Sequence, residues 1–147
     1  MSEAPRLFTL EEANGLVPTL QMEFGRVARL RAELAPLIES VGGAEAAVDI
    51  LQKGKQPARG REAQAERLRR VAAEITAAVE RVNALGCLVK DLDMGLVDFF
   101  SMQGTDPVFL CWQFGEPAIT HWHAVDEGFS SRRPIEGAEV EMPEYPN

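Results

Sequence analysis

Leu16, Leu20, Phe24, Val27, Leu30, Leu34, Leu37 and Val41 recur at steps of three and four. That spacing draws one apolar stripe along a helix of about seven turns, and a stripe of that length must be covered by something. A second stripe, Leu68, Val71, Ile75, Val79, Val82 and Leu85, ends at Gly86, a residue that accepts the left-handed backbone of a helix stop. Two matching stripes predict an antiparallel helical hairpin over residues 9–86. Its start is marked by Thr9 and Glu12, a capping-box pattern in which each side chain satisfies a free backbone N–H. Asn14-Gly15 and Pro18 imply a short capped turn and then a restart, with Pro18 in the first turn of the new helix. Pro36 is expected to bend this helix, and Gly42-Gly43 to close it. Residues 44–60 (AEAAVDILQKGKQPARG) mix small, basic, Gly and Pro residues without a sustained period. They read as a mobile connection able to hold a short helical turn.

The pattern then changes. Residues 87–90, 96–99, 108–113 and 118–124 are short runs rich in β-branched and aromatic residues, separated by turn-formers. They predict an α+β fold in which the hairpin is followed by a small sheet of three or four antiparallel strands over 87–124. Asp91 to Gly95 reads as a hairpin turn, with Gly95 at positive φ, and residues 114–117 as another. The Gly- and Pro-bearing tail, 125–147, is expected to be irregular. A length of 147 residues fits one domain.

Charge narrows the function. The chain carries a net −8, but residues 53–70 hold +5 and residues 91–147 hold −9. The overall balance argues against binding nucleic acid through its phosphates; the basic run, Lys53 to Arg70, reads as a solvated loop and helix face, with an anion or RNA contact as the alternative. No stretch approaches the roughly 20 apolar residues that span a bilayer, and Cys87 and Cys111 form neither a CxxC pair nor a disulfide framework. A cytoplasmic protein with reduced thiols is the expectation. No Gly-rich phosphate loop is present, so no nucleotide cofactor is expected. The helical stripes exceed what one small sheet can cover, which predicts a homodimer through the helices.

Candidate chemistry collects in the C-terminal half. His121 and His123 stand i, i+2 on a strand, so both side chains project from one face and can chelate a divalent cation, with Glu116 and Glu127 as carboxylate ligands and Cys111 as a possible thiolate. The plain alternative is a structural His123 hydrogen-bonded to a carboxylate such as Asp98 or Glu116. Asp98 sits inside a strand, where an acid needs a partner, and Arg132 or Arg133 is the expected one. Asp91 and Asp93 fit a turn in which Asp bonds its own backbone. Trp112 and Trp122 on adjacent strands suit a cross-strand pair in the core or the lining of a pocket. Cys111 as a nucleophile with His123 as base lacks a visible orienting group.

Phe8 to Asn14 (FTLEEAN), Lys90-Asp91, Gly95 to Phe99 (GLVDF), Leu110 to Trp112 (LCW), Gly115-Glu116, Trp122-His123, Gly128-Phe129 and Arg133 to Ile135 together resemble the uncharacterised prokaryotic family catalogued as domain of unknown function 2203. Phe100 departs from the proline expected after GLVDF. The resemblance implies no activity. Two readings therefore stand: a dimeric interaction or regulatory module presenting an acidic, aromatic sheet surface (Asp91, Asp98, Cys111, Trp112, Glu116, Trp122, His123, Arg133), or a small metal-binding protein or metal-dependent hydrolase centred on His123.

Overall fold

A computed structural model of the chain describes residues 6–135. The contacts gather into two compact units, one of Met1–Met22 with Arg81–Asn147 and the other of Glu23–Glu80. Helix α1 spans Leu10–Gly15, α2 Val17–Ser40, α3 Ala44–Lys53 and α4 Glu62–Ala84. The strands are β1 Leu88–Asp91, β2 Leu96–Gln103, β3 Asp106–Gln113, β4 His121–Ala124 and β5 Arg133–Pro134. They form one antiparallel sheet in the order β1-β2-β3-β4-β5. The α+β expectation holds, with one strand more than expected.

In the Glu23–Glu80 unit, Arg67 donates to Glu33 at 2.5 Å and the Arg61 guanidinium to the Ser40 carbonyl at 2.8 Å. As one helix advances from 33 to 40 the other retreats from 67 to 61, which makes α2 and α4 an antiparallel pair. The Ser40 contact also satisfies a carbonyl left open at the end of α2. Gly42 and Gly43 take φ of 115° and 108°, and the Gly43 N–H bonds the Ile38 carbonyl at 2.8 Å, so the pair closes α2 as its composition implied. The connection 44–60 differs from expectation, because its first ten residues are helix α3. Ala44, Ala46, Ala47, Leu51 and Gln52 are strong helix formers, and Ala47 and Ile50 bury one face against Val41, Ala65 and Leu68. Gly54, at φ 66°, ends it.

In the other unit, the Thr9 hydroxyl accepts from the Glu12 N–H and the Glu12 carboxylate from the Thr9 N–H, both at 3.0 Å. The capping box is formed. Phe8 lies along the edge of β2, its N–H bonded to the Phe100 carbonyl at 2.8 Å and its ring edge-on to Phe99 at 5.0 Å. The Asp91 carboxylate accepts from the Met94 N–H at 2.9 Å, and Gly95 takes φ 71°, so the first hairpin turn is built as read. β2 and β3 are joined through Gly104-Thr105, with Gln103 opposite Asp106. β4 begins at His121, later than the run from 118 suggested, and β5 emerges from the stretch expected to be irregular. Residues 136–147 of that expected tail lie outside the described residues. No helix among the described residues is long and apolar enough to cross a membrane.

Candidate metal centre

The register decides which side chains meet. Asp98 on β2 pairs with Cys111 on β3, and Cys111 with His121 on β4. Opposite residues share a face, and residues two apart on a strand return to it. Asp98, Phe100, Phe109, Cys111, His121 and His123 therefore occupy one face; Val97, Phe99, Leu110, Trp112 and Trp122 occupy the other. His123 reaches back diagonally, and its Nε2 lies 3.2 and 3.1 Å from the two Asp98 carboxylate oxygens. The Cys111 thiol faces the same carboxylate from the neighbouring strand. One ligating atom each from Asp98, Cys111 and His123 falls within 4.8 Å of the others, and all three residues are buried.

The protons on this cluster follow from its partners. His123 Nδ1 lies 2.9 Å from the Ala124 carbonyl oxygen, which only accepts, so Nδ1 carries a hydrogen. A contact between Nε2 and a carboxylate then requires a second proton, on the imidazole or on Asp98. The pair thus holds one removable proton. Burial pushes the Asp98 carboxyl upward from its usual range, opposed by His123, by Lys90 and by the thiol. Lys90 stands at the β1 bulge with Nζ 3.9 Å from an Asp98 oxygen and 4.8 Å from the centre of the Phe109 ring. At that distance it contributes charge and not a hydrogen bond. Burial, and then the neighbouring Asp98 charge, push the Cys111 thiol up to about 12. A thiol held protonated is a poor nucleophile, and His123 turns Nε2 to Asp98 and Nδ1 to the backbone. Nucleophilic catalysis by Cys111 with His123 as base has no geometric support.

The remaining candidates are placed elsewhere. Glu116 is held by Arg132 at 3.0 Å and caps the Gln113 N–H at 2.8 Å, and its carbonyl accepts from the Trp112 indole at 2.9 Å. Glu127 is held by Arg133 at 3.0 Å and accepts from the Ala124 N–H at 3.1 Å. Neither glutamate joins His123. The arginines expected at Asp98 serve these glutamates instead, and Asp98 is met by His123 and Lys90. Asp91 serves its turn. His121 is part-buried, and its Nδ1 lies 2.9 Å from the Thr120 hydroxyl. Burial, and then Arg132 beside it, lower its pKa from the usual imidazole value. Trp112 is fully buried, while Trp122 takes the Arg133 guanidinium over its ring at 4.8 Å and lines a cavity of about 490 Å³ with Phe8, Ser101 and Leu110. The tryptophans and the Asp–Cys–His cluster are on opposite faces of the sheet.

Asp98 as a partner for His123 was readable from composition. Its place beside Cys111, and the approach of Lys90, were not. Those depend on the Gly104-Thr105 turn, which sets the β2–β3 register, and on the β1 bulge.

Helices followed by an antiparallel sheet, with a buried Asp–Cys–His cluster on one sheet face, define a small α+β protein. The chain belongs to the family described as "Uncharacterized conserved protein (DUF2203)", whose pattern it matches over residues 6–135. No curated protein and no solved structure is significantly similar to it.

Proposed function

We propose that this chain binds a divalent transition-metal ion through Asp98, Cys111 and His123. The observation that carries the reading is the convergence of a carboxylate, a thiol and an imidazole nitrogen within 4.8 Å in a buried position. Mixed O, S and N donors suit zinc, cobalt or iron. The bond from His123 Nδ1 to the Ala124 carbonyl is the outer contact that orients a ligating histidine and leaves Nε2 for the metal. A tetrahedral ion with bonds of about 2.0 to 2.3 Å holds its ligand atoms about 3.5 Å apart, so the cluster has to contract by about 1.3 Å at most. Binding replaces the shared Asp98–His123 proton and the thiol proton with the cation.

Titration of the untagged full-length chain with cobalt(II) tests this. One equivalent should bind and give the near-ultraviolet charge-transfer absorption of a cobalt–thiolate bond, and Cys111→Ser should lack it. Absence of that band in the parent chain at saturating cobalt sinks the proposal.

Self-association is a second reading, favoured by a separate observation. In the Glu23–Glu80 unit an open groove is lined by Ile50, Leu51, Ala72, Ala73 and Ala77, and Val48 and Leu51 are exposed at 44% and 41%. A second copy covering this groove would make the helix-mediated dimer. Sedimentation should then give a dimer that Ala73→Glu converts to monomer; a monomeric parent chain at micromolar concentration removes the idea.

A further inference from the structure

We propose that His121 closes this metal centre as its fourth ligand, which yields an Asp–Cys–His–His site. The inference rests on the metal-binding reading and specifies how that site is completed.

The sheet register supports it. Asp98, Cys111 and His121 form one cross-strand row over three neighbouring strands, and His123 lies two residues beyond His121. A cation above Cys111 would meet Asp98 from one adjoining strand and His121 from the other, since opposite Cβ atoms stand about 5 Å apart. His123 already reaches this region on the diagonal. No other imidazole or thiol among the described residues shares the row.

The two histidines are also prepared in the same way. Each has Nδ1 bound at 2.9 Å by a group at most one residue away, the Thr120 hydroxyl for His121 and the Ala124 carbonyl for His123. With Nδ1 engaged, Nε2 is the nitrogen each ring offers a metal. His121 stands outside the 4.8 Å group formed by the other three, and it is part-buried where they are buried. It stands at the mouth of the site, and it swings over Cys111 after the ion has entered. Arg132 and Glu116, the charged groups beside His121, are paired to each other at 3.0 Å. Glu116 thereby offsets part of the repulsion that Arg132 exerts on a cation at His121.

Cobalt(II) again serves as the probe, now through its visible d–d bands, whose intensity separates four-coordinate from higher-coordinate geometry. The parent chain should show the intense tetrahedral bands. His121→Gln and His121→Gly should keep the thiolate band yet lose the tetrahedral intensity and at least about 100-fold in affinity, more than the roughly 10- to 100-fold expected from an outer contact. Added imidazole should restore the intensity in His121→Gly, and Thr120→Val should weaken binding about tenfold. Unchanged d–d bands and affinity in both His121 variants overturn this inference and leave the three-residue site standing. A parent chain without any thiolate band removes both.

Discussion

At the scale of single residues, the buried carboxylate of Asp98 has two separable jobs. It gives His123 Nε2 a hydrogen-bond partner, and it carries the charge that would hold a cation. Asp98→Asn keeps the first, because the amide donates to an unprotonated Nε2, and it should cost about 1 kcal/mol or less in urea denaturation. Asp98→Ala leaves the imidazole buried without that partner and should cost about 3 kcal/mol. Both should abolish the cobalt–thiolate spectrum. Equal stability losses for the two would mean that charge, and not the hydrogen bond, holds the pair. The thiols set the alkaline behaviour. Cys87 and Cys111 are raised from near 9 to about 11 and about 12, burial being the larger cause for each. Their contribution to stability is complete below the unfolded value and is lost as pH rises through the folded one. Above pH 9 each thiol should therefore lower stability with a slope approaching about 1.4 kcal/mol per pH unit. Comparison of the chain with Cys87→Ala and Cys111→Ala at pH 8, 9 and 10 checks this; identical slopes in all three refute it. The hydrogen bond between His123 and Asp98 was foreseeable because a buried acid and a buried imidazole satisfy one another. The choice of His123 over Arg132 was not, since which side chain reaches Asp98 depends on register.

At the scale of elements, the punctuation of the chain was the most legible part. Thr9 with Glu12, Gly42-Gly43 and Gly86 each act through backbone geometry that needs no tertiary context, and each does what its chemistry implies. Helix α3 was hidden for a physical reason: a ten-residue stretch rich in helix formers is followed by Gly, Lys and Pro residues that dilute the period over any longer window. β5 was hidden because two residues at a sheet edge leave no alternation to detect. Gly95 shows how a local rule and packing coincide. Its φ is 71°, and a Cβ placed there would stand 2.5 Å from the Phe114 Cβ. Gly95→Ala thus adds backbone strain to a contact that no rotamer relieves, and it should cost about 2 kcal/mol or more. A thermal midpoint within a degree of the parent would show that the β1–β2 turn and Phe114 can both move aside.

At the scale of the whole molecule, the metal-binding reading bears on how the two compact units open. Asp98, Cys111 and His123 all belong to the unit that contains Arg81–Asn147, and Glu23–Glu80 supplies none of the three. A ligand stabilises only against those openings that destroy its site, by RT ln(1 + [L]/Kd), or about 2.7 kcal/mol at a hundredfold excess over Kd. Openings confined to α3 and the adjoining turns of α2 and α4 leave the site intact, so the metal should not slow them. Amide hydrogen exchange with and without a saturating metal ion reads this directly. Protection in β2, β3 and β4 should rise about 100-fold at that excess, while the amides of Ala47, Ile50 and Leu68 should exchange at an unchanged rate. A uniform rise over both units would mean that the chain opens only as one cooperative domain, as its length suggested. A rise in neither would mean that no metal holds the sheet.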